Sequence, residues 1–106
     1  MREVIYNKLV RDNIPNIIIL SGKSCETEIL NEHDYIIMLD KKLDEELTEY
    51  HRDHNVEELA DLLEVIYSIA AASNCSAEEL EQLRKKKAAE RGSFAKRILL
   101  KKVIEA

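Results

Sequence analysis

Two short acidic runs, Glu46-Leu47-Thr48-Glu49 and Glu58-Leu59-Ala60-Asp61, carry the chemistry for which this chain is best equipped. Each run sets two carboxylates at i, i+3, which on an α-helix share a face about 4.5 Å apart along the axis. A turn near His54-Asn55 folds two such helices into an antiparallel hairpin, with Glu49 opposite Glu58 and Glu46 opposite Asp61. Four carboxylates at matched heights repel one another unless a cation lies between them. Carboxylate oxygens in that arrangement suit Mg²⁺, the ion of phosphate chemistry.

Caps and apolar spacing mark the elements that must position these acids. Asn31 followed by Asp34 has the form of an N-cap with a first-turn acid. An amphipathic pattern runs from there to about Asp53, with Ile36, Leu39, Leu43, Leu47 and Tyr50 as its apolar stripe. Asn55 caps the next helix, which is expected to run to about Ala72. Leu59, Leu62, Leu63, Ile66, Ile69 and Ala70 wrap more than half of its circumference, so it is expected to be the central buried helix. Ser76-Ala77-Glu78-Glu79 is a capping box and opens a third long helix ending near Gly92. With only Leu80, Leu83 and Ala88 as apolar residues, that helix belongs on the surface. Upstream, Asp12 or Asn13 caps a short helix through Pro15, Ile17, Ile18 and Leu20, with Gly22 in the place of a stop. Cys25–Leu30 reads as a short strand, and Phe94–Leu100 is open between strand and helix. The fold class is therefore all-α, an antiparallel helical hairpin or bundle with short extended segments near 25–30 and 94–100.

Position around the helix matters more than the number of acids. At 100° per residue, Glu46 falls about 60° from the centre of the first stripe, between Leu39 and Tyr35, whereas Glu45 points to solvent beside Lys41. In the second helix Glu58 falls between Val65 and Ile69, inside the apolar arc. Asp61 lies at its edge, and Glu57 and Glu64 face outward. A carboxylate among aliphatic side chains is costly unless paired, and a metal is one way to pair it. A local alternative stands beside this: Asn55-Val56-Glu57-Glu58 is also a capping-box pattern, which offers Glu58 the Asn55 amide as a partner. Glu49 lies farther round, where ordinary surface acids are found.

The rest of the composition narrows the class. At 106 residues, 45% apolar, with two glycines and one proline, the chain is expected to form one mostly helical domain. No apolar run approaches the roughly 20 residues needed to span a bilayer, and the opening Met1-Arg2-Glu3-Val4-Ile5-Tyr6 lacks the apolar core of a secretory signal. Cys25 and Cys75 are isolated thiols without metal-ligand spacing, read as reduced residues of a cytoplasmic protein. The net charge of -5 is unevenly spread: residues 26–64 hold 14 of the 21 acids, and residues 84–102 hold nine of the 16 Lys and Arg side chains. The acidic half repels a long polyanion, so nucleic acid is not an expected partner. A metal-carrying phosphate substrate suits it better, although a solvated helix face accounts for most of these lysines.

Other constellations fall short. His51 and His54 sit near the turn, where histidines commonly face a helix C-terminus, and the Glu-x-x-His pattern of di-iron bundles is missing. There is no Gly-rich phosphate loop. Tyr6, Tyr35, Tyr50 and Tyr67 have the chemistry to stack on a base, but helical placement assigns Tyr50 and Tyr67 to the core.

Taken together, Glu46-x-x-Glu49 and Glu58-x-x-Asp61 resemble the signature of the MazG-like all-α nucleoside triphosphate pyrophosphohydrolases, the superfamily that includes phosphoribosyl-ATP pyrophosphohydrolase. Tyr6-Asn7-Lys8-Leu9-Val10-Arg11-Asp12 is similar to the opening of one subgroup, which continues Lys-Ile-Pro where this chain has Asn13. Glu90-Arg91-Gly92-Ser93-Phe94 is similar to that subgroup's Glu-Arg-Gly-Gly-Phe, with Ser93 in place of the second glycine. The resemblance spans nearly the whole chain. It implies helices that pair with a second subunit in a homodimer or homotetramer, and hydrolysis between the α and β phosphates. Glu46, Glu49, Glu58 and Asp61 would hold Mg²⁺, with one of the four as an alternative base. Lys8, Arg11 and Arg91 would contact phosphates; for Arg11, pairing with a carboxylate is the structural alternative. Which nucleotide is cleaved does not follow from these motifs. The competing reading is a non-catalytic helical module that dimerises or binds a nucleotide, and a redox di-metal carboxylate protein ranks below both.

Overall fold

Caps set the ends of the helices. The computed structural model describes residues 2–106 and contains α1 (Ile14–Leu20), α2 (Glu32–Asp53), α3 (Val56–Ala72) and α4 (Ala77–Arg91), with no strand among the described residues. At the start of α2 the Asn31 Oδ1 accepts from the Asp34 amide at 2.8 Å. The helix ends at His54, whose left-handed backbone (φ 49°) returns its N–H to the Tyr50 carbonyl at 2.7 Å. One residue later Asn55 caps α3 by accepting from the Glu58 amide at 3.0 Å. The two-residue turn therefore reverses the chain and lays α3 back along α2. Ser76 opens α4 with a complete capping box: its Oγ accepts from the Glu79 amide at 3.1 Å, and Glu79 Oε1 accepts from the Ser76 amide at 3.4 Å. α1 begins after Asn13, whose helical backbone makes no side-chain cap bond, so the cap expected from Asp12 or Asn13 does not form; the helix relies on Pro15 in its first turn and is followed by Gly22 at φ +89°.

Both segments expected to be extended or open between strand and helix are irregular. Cys25–Leu30 is irregular and almost wholly exposed, because no neighbouring strand offers its backbone a ladder. Phe94–Leu100 is neither helix nor strand. A turn closes from the Arg97 amide to the Phe94 carbonyl at 3.2 Å, and an open segment follows.

The core lies between α2 and α3. Leu39 and Val65 are its buried apolar residues among those described, with Leu43, Tyr50, Leu62, Ile66 and Tyr67 half-buried around them. α3 packs along α2 and touches α4. The expected burial of α3 is realised only on the arc facing α2, since Leu59 and Leu63 stay 42% and 44% exposed. α4 buries no residue, as its sparse apolar pattern requires. The radius of gyration is 18.8 Å, against about 13 Å for a compact chain of this length. A single chain thus leaves much of its apolar surface uncovered. No helix among the described residues is long and apolar enough to cross a membrane, and both cysteines are free.

Candidate metal centre

The hairpin brings carboxylates from both helices together. Glu46 of α2 and Glu58 and Asp61 of α3 each present an oxygen within 4.8 Å of the other two. Glu46 is only 7% exposed, as its place on the apolar side of α2 anticipates. Its Oε2 and that of Glu58 are both cut off from solvent and have no hydrogen-bond partner among the described residues. Leaving a carboxylate oxygen buried and unpartnered is expensive. Here two such oxygens occur in one cluster.

The local alternative for Glu58 is decided by comparing caps. At Ser76 both halves of the capping box form. At Asn55 the side chain accepts from the Glu58 amide, but Glu58 makes no return bond. Its carboxylate is therefore not used in capping and remains with the cluster.

Electrostatics follow from this crowding. Desolvation pushes the Glu46 carboxyl above its ordinary range, the neighbouring Glu49 pushes it further, and only Lys42 works against them. Glu58 is raised in the same way, by desolvation first and then by Glu49, Asp53 and Asp61. Glu49 lies outside the trio, and its charge acts on both Glu46 and Glu58. An all-oxygen donor set with two orphaned oxygens and mutual repulsion fits a hard divalent cation such as Mg²⁺.

Two cations reach the edge of the cluster. Arg11 Nη2 donates to Asp61 Oδ1 at 2.8 Å, which is the pairing alternative for that residue. Lys42 Nζ lies 3.5 Å from Glu46 Oε1 and 3.3 Å from Glu45 Oε1. Lys8 pairs with Glu45 at 3.3 Å, so Glu45 is not the solvent-facing acid expected from its helix position: the N-terminal segment covers it. Arg91, in the last turn of α4, is exposed and has no ion-pair partner among the described residues. The structure thus brings Lys8 and Arg11 to the acidic face, while Arg91 forms no ion pair there among the described residues. Lys42 was missed by motif reasoning, though its i, i+4 spacing to Glu46 is an ordinary helix-pair signal. His51 and His54 pack around the Tyr50 ring, at centroid distances of 6.0 and 5.2 Å, and take no part in the cluster.

Comparison with protein-family models, with curated proteins and with solved structures finds no match to this chain.

Proposed function

We propose that the chain is a Mg²⁺-dependent nucleoside triphosphate pyrophosphohydrolase of the MazG-like type, cleaving between the α and β phosphates to give a nucleoside monophosphate and pyrophosphate. The observation that carries this reading is the Glu46–Glu58–Asp61 cluster with its two buried, unpartnered oxygens. The motif resemblance supplies the reaction. Glu46, Glu58 and Asp61 would hold the ion, which when bound neutralises phosphate charge and lowers the pKa of a water. Glu49, beside Glu46 and Glu58 but outside the trio, is the acid suited to take the proton of the attacking water. Arg11 and Lys8, both next to the acidic face, would bind phosphate oxygens, and Arg91 would join them from α4. Apart from the ion's contribution, the protein's role is to hold these groups in register on two packed helices.

The same reading takes the assembly to be a homodimer or homotetramer in the cytoplasm. The half-exposed Leu59 and Leu63 on α3 and the expanded single chain support pairing with a second copy. Pairing alone would also suit a non-catalytic helical module. Mg²⁺ separates the two, because a pure interaction module gains no melting temperature from the ion. The decisive variants are Glu58→Gln and Asp61→Asn. Each is expected to lower Mg²⁺-dependent pyrophosphate release on the order of a thousandfold while the helical circular-dichroism signal is kept. Full activity in both would refute the assignment.

A further inference from the structure

The chain carries a net charge of -5, yet beside the acidic centre lies a patch of the opposite sign. Tyr6, Lys8 and Leu9 run alongside α2 and, with Met38, Lys41 and Lys42, line a cleft of about 220 Å³, far more than a single water molecule needs. Glu45 also lines it, so the lining carries three ammonium groups against one carboxylate, with the Glu46 carboxylate at its edge paired to Lys42. Helical spacing explains the shared face: Met38, Lys41, Lys42 and Glu45 recur at i, i+3, i+4 and i+7. Glu45 accepts from Lys42 at 3.3 Å and pairs with Lys8 at the same distance, so it ties an ammonium group of α2 and one of the N-terminal segment to a single carboxylate of the cleft lining. The cleft also adjoins the centre, because Lys42 Nζ lies 3.5 Å from Glu46 Oε1.

We infer that this cleft is the binding site for the pyrophosphate portion of the substrate, with Lys8, Lys41 and Lys42 as its ligands and Glu45 as the residue that positions two of them. The inference rests on the hydrolase reading for its substrate and on the cleft for its location. Ammonium groups act as point charges on phosphate and need no fixed fork, which suits a shallow cleft walled by flexible side chains. Glu46, with Glu58 and Asp61, would hold the cation, and Lys42 would then keep Glu45 as its carboxylate partner and be available to a phosphate. Tyr6 and Met38 complete the wall without adding charge.

The test is calorimetric titration of inorganic pyrophosphate, with Mg²⁺ present, into the full chain. Lys8→Ala and Lys41→Ala are each expected to weaken binding about tenfold, whereas Lys86→Ala on α4 should leave it unchanged. Mg²⁺ affinity measured alone should be the same in Lys41→Ala as in the native chain. The inference is overturned if the native chain does not bind pyrophosphate, if the two cleft variants stay within about twofold of it, or if Lys86→Ala weakens binding equally. Triphosphate hydrolysis combined with pyrophosphate binding indifferent to Lys8 and Lys41 would refute the cleft and keep the hydrolase. Lysine-dependent pyrophosphate binding by a chain that cleaves no triphosphate would keep the cleft and refute the hydrolase.

Discussion

The α2–α3 hairpin and the segment from α4 to the C-terminus begin from equally good local signals and end very differently. Asn55 and Ser76 cap their helices with nearly the same geometry, 3.0 and 3.1 Å from the third amide, and Ser76 has the fuller motif. Yet the hairpin contains every buried residue among those described, Leu39, Val65 and Glu46, whereas α4 buries none and residues 91–106 are exposed throughout. A cap decides where a helix starts; a continuous apolar stripe facing a partner decides what it buries. The candidate chemistry lies on the buried side of that divide. Rigid packing of α2 on α3 is what can hold carboxylate oxygens out of water and against one another.

Core truncation should expose this contrast most strongly. Leu39→Ala is expected to destabilise the chain by about 2–3 kcal/mol in urea unfolding, and Leu99→Ala, at a residue 80% exposed, by less than about 0.5 kcal/mol. Equal losses would mean that the C-terminal segment packs as tightly as the hairpin.

Acidity gives the next largest effect. The Glu46 and Glu58 carboxyls are raised above their ordinary 4.5 in the fold, so the native state binds protons more tightly than the unfolded chain. Their contribution is fully present below 4.5 and is lost as pH rises through the raised values. Metal-free protein in EDTA should therefore melt at higher temperature as pH falls from neutrality toward 4.5. Asp53 and Glu81 are lowered by hydrogen bonds from Arg52 and Arg84 and oppose this only below their ordinary 3.8 and 4.5. Saturating Mg²⁺ should flatten the slope, because the ion keeps the carboxylates charged. A melting temperature indifferent to pH without metal would contradict the proposed crowding. The smallest effect of the series concerns the cap alone: Ser76→Ala should cost about 1 kcal/mol without altering Mg²⁺ affinity, since α4 contributes no carboxylate to the cluster.

Much of the fold was legible because its punctuation is chemical. Asn31, Asn55 and Ser76 mark helix starts through side chains that satisfy specific amides, and the structure begins α2, α3 and α4 one residue after each. The reversal at His54-Asn55 followed from the same signals, and with it the approach of Glu46 and Asp61 across the hairpin. Cys25–Leu30 and Phe94–Leu100 misled because alternating or apolar runs promise extended structure only where a partner strand exists, which the sequence does not reveal. The exposure of Leu59 and Leu63 was equally invisible: a wide apolar arc reports that burial is wanted, not whether it is achieved within one chain. Pairing of Glu45 with Lys8 depends on where the N-terminal segment lies, a tertiary fact that no spacing within α2 contains.

One measurement bears most directly on the central claim. Purified protein is incubated with Mg²⁺ and a panel of canonical and modified nucleoside triphosphates, plus phosphoribosyl-ATP, and the phosphorus-containing products are identified. We expect monophosphate and pyrophosphate in equal amounts from at least one member, abolished by EDTA. Release of orthophosphate with a diphosphate, or turnover that survives EDTA, would contradict the account.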